Sequence, residues 1–142
     1  MYDYPDIKIS GCQKCGQCCA KPNVLILLDR KAQQTIDKSL QDDWKGFPVM
    51  KSDKNGCAAL DDKSCSIYDI RPFYCRVYPL DIREIDGRLT IISQTCEQLS
   101  CRIKDSEKDI LKKITDFRKK DPEYFSNLKQ LRYILSTDGT LF

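Results

Sequence analysis

Nine cysteines and no histidine occur in a chain of 142 residues, and these two counts set the chemistry open to it. Without His the chain lacks Ser/His/Asp triads, Cys/His nucleophile pairs, HExxH sites, mixed Cys/His zinc fingers and His-ligated haem, so any metal is held mainly by sulfur. The cysteines stand at 12, 15, 18, 19, 57, 65, 75, 96 and 101. On a straight helix Cys12 and Cys19 would be about 10 Å apart along the axis, too far for one metal ion. A wrapped loop over residues 10–22 does better: Cys-x2-Cys-x2-Cys lets three thiolates converge, with Gly11 and Gly16 supplying the turns. The bacterial ferredoxin run starts with the same triple but places a fourth Cys where this chain has Pro22. The remaining ligand must then come from Cys19 or from downstream.

Thiolate-only ligation narrows the metal to zinc or an iron–sulfur cluster, both of which commonly take four Cys. Two features favour a [4Fe-4S] cluster. The opening triple matches cluster-binding spacing better than the paired Cys-x2-Cys knuckles of zinc ribbons, and adjacent Cys18 and Cys19 leave a thiol beside the centre. Zinc stays open, since eight thiols could also fill two closed zinc sites. We expect Cys12, Cys15 and either Cys18 or Cys19 to join one downstream cysteine at a first centre.

The block Cys65-Ser66-Ile67-Tyr68-Asp69-Ile70-Arg71-Pro72-Phe73-Tyr74-Cys75-Arg76 follows that opening, with Cys57 before it and Cys96 after it. Over residues 12 to about 96 the chain resembles the CxxCxxCC family of zinc- or iron-chelating cysteine-cluster proteins. The resemblance implies metal ligation by Cys12, Cys15, Cys18, Cys19, Cys57, Cys65, Cys75 and Cys96, and leaves Cys101 as an extra residue. The same module occurs in flagellin lysine methylases, which implies that it can serve a methyl-transferring enzyme; this chain shows no added substrate domain.

Arg71 and Arg76 flank Cys75, and guanidinium groups there would lower thiolate pKa and offset an anionic site. We therefore place both arginines beside the cofactor. The alternative for Arg71 is an ion pair with Asp61, Asp62 or Asp69. Tyr68, Tyr74 and Tyr78 read as packing residues.

Several elements must position these thiols. Val24 to Leu28 reads as a short buried strand or extended segment, and Asp29 as the N-cap of a helix running to about Leu40, with Ala32, Ile36 and Leu40 on one face. Residues 42–56 show no clear period and read as a connection. Leu80–Ile85 and Leu89–Ser93, joined through Asp86-Gly87-Arg88, give the strongest β-hairpin signal. Ser106-x-x-Asp109 opens a helix with Ile110, Leu111, Ile114 and Phe117 on one face. Asp121-Pro122 opens a second, with Tyr124, Phe125, Leu128, Leu131 and Leu135 on its apolar side. The fold class expected is α+β: a small Cys-rich, metal-centred domain with a β-hairpin and a C-terminal helical hairpin. It is organised as one domain with a cysteine core over 10–101 and the helical hairpin over 104–136.

Composition agrees with one globular unit and one modest core: 41% of residues are hydrophobic and 32% charged. Cysteine, at about 6%, falls just short of the disulfide-scaffold range, and the odd count suits full pairing poorly. The acidic start, Met1-Tyr2-Asp3-Tyr4-Pro5-Asp6, does not read as a secretory signal, and the longest aliphatic run is too short to span a bilayer. These features predict a cytoplasmic protein without membrane insertion, in a compartment where clustered thiols bind metal. A net charge of +3 is too small to argue for nucleic acid.

The reading that needs least is a non-catalytic cluster protein that responds to redox state or oxygen by binding a protein partner. A methyltransferase-type or redox enzyme, or a component of one, is the second reading, although no Gly-rich nucleotide loop is present. A zinc-stabilised adaptor or nucleic-acid-binding module is the third.

Overall fold

The structure is a computed structural model that describes residues 3–7, 9–10, 22–61, 64–77, 80–93, 102–103 and 106–137. Cys12, Cys15, Cys18, Cys19, Cys96 and Cys101 lie outside the described residues, as does the loop expected around the first four apart from its flanking Ser10 and Pro22.

In chain order the elements are β1 (Ile9–Ser10), α1 (Arg30–Thr35), β2 (Gln41–Trp44), β3 (Phe47–Met50), β4 (Ser52–Asp53), β5 (Gly56–Cys57), β6 (Leu60–Asp61), β7 (Ser64–Cys65), α2 (Phe73–Arg76), β8 (Leu80–Ile85), β9 (Arg88–Ser93), β10 (Arg102–Ile103), α3 (Glu107–Lys120) and α4 (Pro122–Thr137). The strands form two-stranded antiparallel pairs: β1 with β10, β2 with β3, β4 with β5, β6 with β7 and β8 with β9. This is the expected α+β architecture, small hairpins followed by a helical pair. Among the described residues no helix is long and apolar enough to cross a membrane.

The expected hairpin is β8–β9, and its register ends with Ile85 opposite Arg88. The turn is thus the two residues Asp86 and Gly87, both at positive φ, 52° and 78°, which is the twist that a tight hairpin requires. The helical pair also forms as expected. Ser106 Oγ accepts from the Asp109 amide to open α3, acidic residues occupy its first turn, and three basic residues, Arg118, Lys119 and Lys120, occupy its last, each matching the helix dipole.

Two local expectations need correction. The helix after Asp29 ends at Thr35 instead of continuing to Leu40. Asp37 restarts the chain as a 3-10 turn over Lys38–Leu40 by accepting from the Ser39 amide, and the Gln41 side-chain amide donates to the carbonyls of Gln33 and Ile36. These contacts satisfy backbone groups that continued helix would have used. Residues 42–56, expected as a connection with no clear period, consist largely of short strands. They carry most of the β2–β3 hairpin, turned at Lys45 (φ 52°) and Gly46 (φ 88°), together with β4 and the start of β5.

Among the described residues the buried apolar side chains form two clusters. In the first cluster α3 and α4 pack on Leu27, Phe47, Val49, Phe73 and the β8 strand; the second holds Ile26, Leu28, Ala32, Ile36, Met50, Cys57 and Ala59. The two share a wall. Along the extended segment, Ile26 and Leu28 face one cluster and Leu27 the other, as a period of two demands. Hydrogen bonds from Leu28 N to Pro48 O (2.9 Å) and Met50 N to Ile26 O (3.0 Å) tie that segment to β3.

Candidate metal centre

The three family cysteines among the described residues come from separate local structures. Cys57 lies opposite Ser52 in β4–β5, Cys65 lies opposite Leu60 in β6–β7, and Cys75 is the third residue of α2. All three belong to the second cluster: Cys57 is buried in it, and Cys65 and Cys75 pack against it half-buried, beside Ile67 and Tyr74. The short hairpins that carry Cys57 and Cys65 are each too small to have a core of their own. Their side chains contribute instead to the shared one.

Among the described residues no three Cys, Asp or Glu side chains are arranged to hold a metal ion by themselves. The donor chemistry nonetheless fits a thiophilic metal. These cysteines sit in or against one apolar cluster, in a chain with no His to compete, which suits zinc or an iron–sulfur cluster and not calcium or magnesium, whose ligands are oxygen.

Local hydrogen bonding holds the Arg-Pro block. Arg71 Nε donates to the Tyr68 carbonyl at 2.8 Å, and its guanidinium stacks 3.9 Å from the Tyr68 ring centre. Arg76 donates from Nε to Arg71 O (2.6 Å) and from Nη2 to Asp69 O (3.0 Å), with its guanidinium 4.2 Å from the ring centre of Tyr4. Arg71 is therefore engaged with Tyr68, and Asp69 contributes its backbone carbonyl to Arg76; Asp62, one of the three acidic partners considered for Arg71, lies outside the described residues. Burial draws Arg76 below the ordinary arginine range, and the charge of the Cys75 thiol is among the influences that raise it again. Burial likewise pushes the Tyr124 phenol well above its usual range, with Tyr74, Asp29 and Cys75 adding to the effect. Cys75 therefore lies within electrostatic reach of Arg76 on one side and of α4 on the other.

The feature that the sequence conceals is Asp29. Its carboxylate is wholly buried; Oδ2 accepts from Ala32 N (3.2 Å) and the Tyr4 hydroxyl (2.8 Å), and Oδ1 accepts from Phe73 N (2.8 Å). It thus caps α1, as expected, and also the helix that carries Cys75. Asp121, also buried, has a parallel role: it accepts from Tyr124 N (3.2 Å) at the start of α4 and from Arg30 N (2.8 Å) at the start of α1. An Asp preceding a helical stretch signals the first cap in each case. The second partner, 44 residues away for Asp29 and 91 for Asp121, leaves no mark in sequence.

A family model, CxxCxxCC, "Putative zinc- or iron-chelating domain", matches residues 11–115. A protein of Methanocaldococcus jannaschii, described as uncharacterized, is 30% identical over 100 aligned residues, covering 61% of this chain and 55% of that relative. The chain therefore spans about half the length of the curated relative it matches. No solved structure matches it.

Proposed function

The chain belongs to the CxxCxxCC family of zinc- or iron-chelating domains, and from that premise we propose that it is a cytoplasmic, redox-responsive metal-cluster protein that regulates or binds a protein partner. The observation carrying this reading is that Cys57, Cys65 and Cys75, from three separate local structures, share one apolar cluster. The ligands are drawn from Cys12, Cys15, Cys18, Cys19, Cys57, Cys65, Cys75 and Cys96, and a [4Fe-4S] cluster is favoured over zinc by the spacing of the opening cysteines. Such a cluster supplies one-electron chemistry and sensitivity to oxygen. The chain's own residues hold Cys57, Cys65 and Cys75 in or against one apolar cluster, and Arg76 sets a positive charge beside Cys75.

Anaerobic purification followed by an absorption spectrum and iron, sulfide and zinc analysis tests the cofactor. Broad visible absorption with matching iron and sulfide is expected; a colourless protein with stoichiometric zinc would replace the cluster by a zinc adaptor. The regulatory part is tested by partner capture with and without air. Binding that ignores oxygen, or that an all-Ser variant of the eight cysteines reproduces, removes it.

A further inference from the structure

We propose that Asp29 is the positioning residue of the metal centre: it fixes α2, and through it the direction in which Cys75 is presented. The inference rests on the reading of Cys75 as a ligand.

Helix α2 has only four residues, too few to hold its shape by its own hydrogen bonds. Its N-cap is Pro72, which provides no side-chain acceptor. The Phe73 amide at its first position is instead taken by Asp29 Oδ1 at 2.8 Å, a charge-assisted bond inside a site that excludes water. The other carboxylate oxygen is bonded to Ala32 N of α1 and to the Tyr4 hydroxyl. Tyr4 in turn lies under the guanidinium of Arg76, 4.2 Å from ring centre to cation. Asp29 therefore holds the chain on both sides of Cys75: Phe73 directly, and Arg76 by way of Tyr4. A ligand two residues along the backbone from such an anchor has its approach angle set before metal arrives, which is how outer residues raise metal affinity.

Asp121 provides the comparison. It is buried to a similar degree, and its carboxylate accepts from Tyr124 N of α4 and Arg30 N of α1, where that of Asp29 accepts from Phe73 N of α2.

The experiment compares D29N, D121N and C75S with the parent, all as full chains purified anaerobically with metal bound. Metal retention is measured against a chelator and thermal stability is measured alongside. In D29N one carboxamide oxygen faces three donors, so both stability and retention fall, the latter by about tenfold to a hundredfold. D121N is expected to lose stability while keeping parent-like retention. Equal loosening in D29N and D121N would mean that Asp29 acts only through general stability and overturns the proposal. If C75S loses metal while D29N keeps it, positioning fails and the ligand reading stands; if C75S keeps it, the ligand reading itself fails. A metal-independent readout is iodoacetamide labelling of stripped protein, resolved by peptide mapping: D29N should speed labelling of Cys75 more than of Cys57. Uniform acceleration counts against the proposal. Should D29N not fold, Y4F, which keeps the ring and removes one donor, must loosen metal in the same direction, and parent-like retention by Y4F then overturns it.

Discussion

Phe73 and Cys75, two positions apart on α2, pack into different apolar clusters. Phe73 stacks on Phe117 of α3 at 4.3 Å between ring centres and meets Tyr124 of α4 edge-on at 5.4 Å, whereas Cys75 packs against the cluster that contains Cys57. The helical pair and the cysteine cluster thus share this short helix, as they share the segment over 24–28. Disturbance on one side reaches the other through packed atoms.

Phe73→Ala should therefore cost about 3–5 kcal/mol, the range for removing a buried aromatic side chain, and should loosen bound metal as well. Chemical denaturation and chelator competition on the same sample check the pair of effects. A loss of stability with unchanged metal retention would show that the two clusters are independent. Phe73→Leu, which keeps much of the volume, should lie between.

Serine substitutions should separate the family cysteines from the ninth. Cys57→Ser, Cys65→Ser and Cys75→Ser are each expected to lower the metal bound per chain, because a serine hydroxyl is a poor substitute for thiolate toward a soft metal. Cys101→Ser should leave metal content at the parent level. Metal analysis after anaerobic purification decides, and a large loss in the Cys101 variant would make it a ligand.

Alkaline pH should destabilise the fold through Tyr4. Burial, reinforced by the neighbouring Asp29 carboxylate, raises its pKa far above the ordinary tyrosine value of 10.0. The folded state therefore keeps the phenol protonated while the unfolded chain begins to ionise near pH 10. The stabilisation is complete below that pH and is lost as pH rises beyond it. Tyr4→Phe should be less stable at neutral pH, through loss of the 2.8 Å bond to Asp29, yet show a shallower alkaline decline. The buried Tyr124, raised in the same direction, keeps part of the decline in place. Parallel pH profiles for Tyr4→Phe and parent would contradict this account.

The β8–β9 turn offers a backbone test. At Gly87, φ is 78° and an added Cβ would meet open space, so Gly87→Ala should cost about 1 kcal/mol for conformation alone. Gly87→Asn should cost less, since Asn tolerates positive φ. Urea denaturation resolves the difference, and equal costs for the two would point to something other than backbone conformation.

Sequence legibility followed the range of the determining interaction. Asp86-Gly87 announced its hairpin, and Ser106 and Asp121-Pro122 announced their helices, because each signal acts within about four residues of itself. The β2–β3 hairpin carries a weak sequence signal because its turn is Lys45-Gly46 and its first strand carries Asp42 and Asp43, residues of low strand propensity. The helix after Asp29 is shorter than its pattern predicts, although Ala32, Ile36 and Leu40 keep helical spacing. All three do reach the same cluster, Leu40 by way of a 3-10 turn.

By itself the sequence pointed to sulfur as the donor, excluded histidine chemistry, and carried the ordered cysteines and the Arg-Pro block of the family to which the chain belongs. Side-chain type and local spacing suffice for that. Only the tertiary structure decided that Cys57, Cys65 and Cys75 share a cluster, that α2 faces two interiors at once, and that Asp29 anchors it. The physical reason is that a buried carboxylate takes whichever donors folding brings to it. For Asp29, the donors include Tyr4, 25 residues before it, and Phe73, 44 residues after it.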